Sequence, residues 1–107
     1  AATLLERSDV CYASAFALAA ISCQVPLSAA LLGFFWAQAE GQTSAAVRLI
    51  PLGQTAGQRL LSRITQVLPD CAALAQSLSD AEIGALSPGL ALASALHETQ
   101  YTRLFRS

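Results

Sequence analysis

Thirty consecutive residues, Val10 to Ala39, carry no charge. A stretch of this kind leaves the chain few choices. It crosses a membrane, or it folds into helices that neighbours cover on every side. Ser22, Gln24 and Pro26 divide it into two apolar runs of about a dozen residues, whereas a span needs roughly 20. Both runs are richer in Ala and Ser than in Leu and Ile. A small helical membrane-associated protein built on residues 10–39 is therefore the alternative, and a pair of covered helices is the leading reading. Glu6, Arg7 and Asp9 precede the apolar run, which does not read as a signal peptide.

The rest of the composition supports helices that seek a partner. At 107 residues the chain is read as one domain, residues 1–107. Only 12% of it is charged, about half the usual share. Few charges and much Ala and Leu leave surface that favours association. All six basic residues are arginines and they are scattered, and the net charge is −1. Nucleic-acid binding is excluded on that ground, because phosphate contacts need clustered cations.

No run alternates as a half-buried strand does, so the fold is expected to be all-α, a bundle of about five to six helices. Proline and glycine set the expected boundaries. A first helix covers Asp9 to Ser22, capped by Asp9. A second starts at Pro26 and ends near Glu40, where Gly41 follows. A third spans Thr43 to Leu49 and stops before Pro51 and Gly53. A fourth runs from Gln54 to Leu68, where Pro69 stops it, and a short helix follows from Asp70 to Leu78. Ser79 and Glu82 have capping-box spacing. Ser87 and Pro88 start a last helix, expected to reach Thr102 or beyond. The first two helices are apolar nearly all round, so they need cover from a second copy or from further chain.

The last eleven residues, HETQYTRLFRS, concentrate what the rest lacks. They hold the only histidine, His97, together with Glu98, Tyr101, Arg103, Phe105 and Arg106. At about 100° per residue, His97, Tyr101 and Phe105 would share one helix face, beside a stripe of Leu92 and Leu96. Arg103 would fall inside that stripe, so the helix ends near Thr102 or the arginine finds a partner. Arg, Tyr and Phe are residues that anchor interfaces. The other reading is a final helix docked on its own domain.

Catalysis finds no support in the sequence. One histidine, three separate cysteines (Cys11, Cys23, Cys71) and scattered carboxylates supply no nucleophile with a base and an orienting group. The cysteines have no CxxC spacing, so no metal site is expected, and in apolar helices they should be buried as small hydrophobes. Nothing suggests a disulfide scaffold, which makes the cytoplasm the expected compartment. GQTAGQR, from Gly53 to Arg59, lacks the lysine and hydroxyl of a phosphate loop.

Three segments are familiar together. HETQYTRLFRS at the end, Ile83-Gly84 before it, and RLIPLGQTAGQRLL from Arg48 to Leu61 resemble the C-terminal half of UreF, a urease accessory protein family. The resemblance implies an all-α, non-catalytic scaffold for nickel delivery to urease, without a cofactor of its own. Members of that family are about twice this length, and their N-terminal half carries a Gly-Tyr-Ser type motif that is not found here. The family forms a homodimer, binds a UreD (UreH) type subunit, recruits the GTPase UreG and engages the urease apoprotein. The matching positions in the tail are His97, Glu98, Tyr101, Arg103, Phe105, Arg106 and Ser107, where the resemblance implies docking on UreD. Arg48 holds the family's basic position before PLGQ, on the surface linked to UreG. Gln54 follows the kink and either contacts a partner backbone or caps the kinked helix.

Overall fold

The computed structural model describes residues 10–84, 88–99 and 101. Asp9, Ser87, Thr102, Arg103, Phe105, Arg106 and Ser107, each given a role by the sequence, lie outside them. The described residues form four α-helices and one short 3-10 turn, with no strand among them. Contacts divide the chain into two units, residues 1–77 and 78–107.

Among the described residues the first unit has three helices: α1 (Tyr12–Ser22), α2 (Leu27–Leu49) and α3 (Gln54–Ser77). The cap of α1 is Cys11, whose side chain makes no cap bond, so the helix does not begin at Asp9 as expected. Its other end closes as a Schellman motif. The Val25 amide donates to the Ala20 carbonyl and the Gln24 amide to the Ile21 carbonyl, both at 2.9 Å. Gln24 takes the left-handed position, φ 58°, that glycine usually fills. Pro26, the expected start, stands instead as the cap residue of α2, which begins one position later at Leu27.

Two expected breaks are absent. Gly41 does not end a helix: the second and third expected helices are one 23-residue element. Pro69 does not stop α3, which runs 24 residues with the proline inside it. One Gly costs about 1 kcal/mol and one Pro about 3 kcal/mol in a helix interior, sums that packing along a long helix can outweigh. The packing is visible in the sequence of α3. Gly57, Leu68 and Ala72 are buried, and Leu61, Ile64 and Ala75 are half-buried, at steps of three, four and seven that trace one helical stripe. Merging these pairs is why four α-helices are described rather than five to six.

Pro51 does act as expected. It forces Ile50 into extended backbone, φ −111° and ψ 137°, and α2 stops there. Gly53 then adopts φ 79°, accessible to glycine, and its carbonyl accepts from the Gly57 amide at 3.1 Å as α3 begins. So short a link returns α3 against α2, and this pair makes the main packing of the unit. The α1–α2 contact is lighter and aromatic. The ring of Phe34 meets Phe16 edge-on at 5.3 Å and Tyr12 at 6.0 Å between centroids. An apolar hollow of about 210 Å³ opens beside these rings, walled by Leu31 and Phe35 as well.

Burial within the unit is slight. Leu68 and Ala72 are the buried hydrophobic residues among those described, and α1 buries none. Trp36, Ile21 and Leu27 remain exposed. The all-round apolar helices therefore find little cover among the described residues; the sequence leads one to look for it in a second copy or in further chain. Cys11, Cys23 and Cys71 are also exposed, against the expectation that they are buried.

In the second unit, Ser79 and Glu82 bracket a 3-10 turn, Asp80–Glu82, at the expected spacing. Glu82 Oε2 accepts from the Ser79 amide and from the Ser79 hydroxyl, each at 2.8 Å. These two bonds hold the Glu82 carboxyl below its ordinary range, the backbone amide contributing most. Helix α4 (Pro88–Glu98) begins at the expected proline. It ends before Thr102, because Thr99 folds back: its hydroxyl donates to the Leu96 carbonyl at 3.0 Å and its amide to the same oxygen at 3.3 Å.

Candidate functional site: a polar cleft and a helix end

The continuity of α2 through Gly41 has a direct consequence for the polar residues of the first unit. On one helix, Glu40, Thr43, Ser44, Val47 and Arg48 stand at i, i+3, i+4, i+7 and i+8, which is one face. Gln54, Gln58 and Leu61, at i, i+4 and i+7 on α3, make another. The short link brings the two faces together. They line a cavity of about 130 Å³ beside the packed helix pair.

Arg48 and Gln54, singled out separately in the sequence, thus belong to one cleft although they come from different helices. Both are exposed. Glu40, Thr43 and Gln58 join them there, and sequence reasoning missed all three. The signal was present as an i, i+3, i+4, i+7, i+8 series, hidden by the expected helix end at Gly41. The cleft offers a guanidinium, a carboxylate and two carboxamides. Such a set can read a polar side chain or a peptide backbone. A second, shallower depression on α3 has Arg59 and Arg63, one turn apart, around Leu60.

At the other candidate site, His97 and Glu98 are the last two residues of α4 and both are exposed. Tyr101 lies beyond the helix and is 92% exposed. It does not continue a helical face with His97, because α4 has already ended. Arg103, Phe105, Arg106 and Ser107 lie outside the described residues. Leu92 and Leu96 form the expected stripe on α4, and both are exposed.

Among the described residues no three His, Cys, Asp or Glu side chains gather as metal ligands. The Cys11 thiol lies 3.2 Å from the Ser14 hydroxyl, which favours its thiolate and lowers its pKa. No helix of the described residues is long and apolar enough to cross a membrane.

Four α-helices and no strand among the described residues, with polar residues in a cleft of the first unit and at a helix end of the second, define a protein of the all-α class. The comparisons agree with that class and narrow it. The family model described as UreF matches residues 1–65, which include the PLGQ segment. A urease accessory protein UreF of Alkalilimnicola ehrlichii is 51% identical over 92 residues, 86% of this chain and 40% of that protein. The UreF of an Azoarcus species is 45% identical over 106 residues, 99% of this chain and 45% of that protein. The UreF of a Janthinobacterium species is 46% identical over 106 residues, 99% of this chain and 47% of its own length. The chain belongs to the UreF family of urease accessory proteins. That family is one of accessory proteins, not of enzymes. The chain spans less than half the length of these curated relatives. No solved structure matches it.

Proposed function

We propose that this chain is a docking scaffold in the assembly of the urease nickel centre and works in the cytoplasm. Its C-terminal segment, with His97, Glu98, Tyr101, Arg103, Phe105, Arg106 and Ser107, docks on a UreD (UreH) type subunit. The α2–α3 cleft, through Arg48 and Gln54, contacts a UreG-type GTPase, and the assembly couples GTP hydrolysis to nickel transfer into the urease apoprotein. A second copy of the chain completes a homodimer. Nickel is cargo in this scheme, held by the partners.

The observation that carries the reading is the cleft itself. In a chain of the UreF family, two residues chosen for partner contact from separate helices line one polar cavity. A guanidinium with neighbouring carboxamides suits a carboxylate-bearing or phosphate-adjacent protein surface. The exposure of His97, Glu98 and Tyr101 supports tail docking in the same way.

Co-purification tests both contacts. The chain and a truncation lacking residues 97–107 are each co-expressed with the UreD-type subunit, and Arg48→Ala and Gln54→Ala with the GTPase as well. The reading expects truncation to abolish co-elution with the UreD-type subunit. It expects each point variant to weaken GTPase capture at least tenfold while the UreD-type contact persists. Equal retention of the UreD-type subunit by both lengths, or undiminished GTPase capture by both variants, contradicts it.

A further inference from the structure

At Gly57 the two helices that wall the cleft approach each other closely. Gly57 is buried where α3 crosses α2. A Cβ added there would lie 2.5 Å from Val47 Cγ2 and 3.8 Å from Thr43 Cγ2. Carbon atoms in contact prefer about 3.5–4.0 Å, so the pair would have to separate by roughly 1 Å. Val47 resists turning aside, because a β-branched side chain in a helix strongly prefers one rotamer. The strain would fall on the helix axes. Val47 precedes Arg48, and Gly57 sits between Gln54 and Gln58, so any such movement reaches the cleft residues of both helices at once.

We propose that Gly57 is a positioning residue: by letting α3 approach Val47 closely, it sets the spacing at which Arg48 meets Gln54 and Gln58 for the partner. The proposal rests on the reading of Arg48 and Gln54 as partner contacts. Gly57 also lines the cleft, but it has no side chain to offer a partner. It acts through the distance between two helices, and Val47 is the other half of that distance.

The rescue experiment uses Gly57→Ala, Val47→Ala and the double variant V47A/G57A in the whole chain. Trimming Val47 removes the Cγ2 atom that the new methyl would strike, so the double variant can restore the approach. Two readouts are needed. In the free protein, the side-chain N–H resonances of Arg48, Gln54 and Gln58 report the cleft, with His97 in the second unit as reference. Gly57→Ala should shift the three cleft signals and leave His97 in place, and the double variant should return them toward wild type. In binding to the UreG-type GTPase, Gly57→Ala should raise Kd at least tenfold, and V47A/G57A should return it to within about threefold of wild type. Unmoved cleft resonances in Gly57→Ala overturn the proposal. So does a folded double variant that recovers neither signals nor affinity. If Gly57→Ala does not fold, the double variant alone decides by the same two readouts. Wild-type affinity in both Arg48→Ala and Gln54→Ala would defeat the underlying reading of the site, a result distinct from any behaviour of Gly57.

Discussion

Pro69→Ala should make this protein more stable. Pro69 lies inside the 24-residue helix α3, yet it has no N–H for the Thr65 carbonyl and its ring crowds that turn. The neighbouring turn carries a second perturbation, since the Thr65 hydroxyl donates to the Leu61 carbonyl at 2.8 Å. The helix holds through this point because Leu68 and Ala72, on either side of the proline, are its buried apolar contacts. In a helix interior proline costs about 3 kcal/mol relative to alanine. Thr65 and Pro69 are exposed, so water can satisfy the orphan carbonyl and recover part of that cost. The expected gain is about 1–3 kcal/mol, read as a higher urea midpoint with unchanged slope by far-UV circular dichroism. The melting temperature should rise by about 4–8 °C for each kcal/mol gained. A variant that is no more stable, or one that loses helix, would refute the argument. It would mean that the proline is itself required and that α3 is not held through Pro69 by its buried stripe.

Other perturbations probe the same framework. Gly41→Ala should stabilise α2 by about 1 kcal/mol, because the position is exposed and a Cβ there meets nothing within 4 Å; a loss on thermal unfolding would contradict a continuous α2. Leu68→Ala should cost about 2–5 kcal/mol in denaturant unfolding, whereas Leu74→Ala, 63% exposed, should cost under about 0.5 kcal/mol; equal effects would mean that the α3 stripe is no core. The Glu82 carboxyl should titrate below the ordinary range, so the turn it holds is fully formed above that range and is lost as pH falls through the lowered value. The Ser79 amide resonance should report this transition, and Glu82→Gln should abolish it; a midpoint at or above the ordinary carboxylate value would contradict the bonds to Ser79.

The sequence made local breakers visible, but not how strongly packing opposes them. At Pro51 the break occurs because two effects agree: Ile50 is pushed to extended backbone, and Gly53 supplies a positive φ. At Gly41 and Pro69 the local penalty stands alone against long helices joined by a buried stripe, and it loses. The ending of α4 at Glu98 escaped for a similar reason. Side-chain periodicity would carry the helix on to Tyr101, but the Thr99 hydroxyl captures the Leu96 carbonyl instead. The site followed the same pattern. Arg48 and Gln54 were legible as isolated residues, while their shared cleft depends on a continuous α2 and on the α2–α3 return, which Gly41 concealed. The exposed cysteines and apolar faces of α1 show the limit of a burial rule applied to single helices: composition says that a face favours cover, not where the cover comes from.

Backbone hydrogen exchange with and without each partner tests the central claim most directly. With the UreD-type subunit bound, the account predicts slowed exchange over residues 97–107 and little change in α2 and α3. With the UreG-type GTPase added, it predicts new protection around Arg48 and Gln54 on both sides of the cleft. Protection confined to other segments, or none at residues 97–107 in a complex that demonstrably forms, would contradict the scaffold as described.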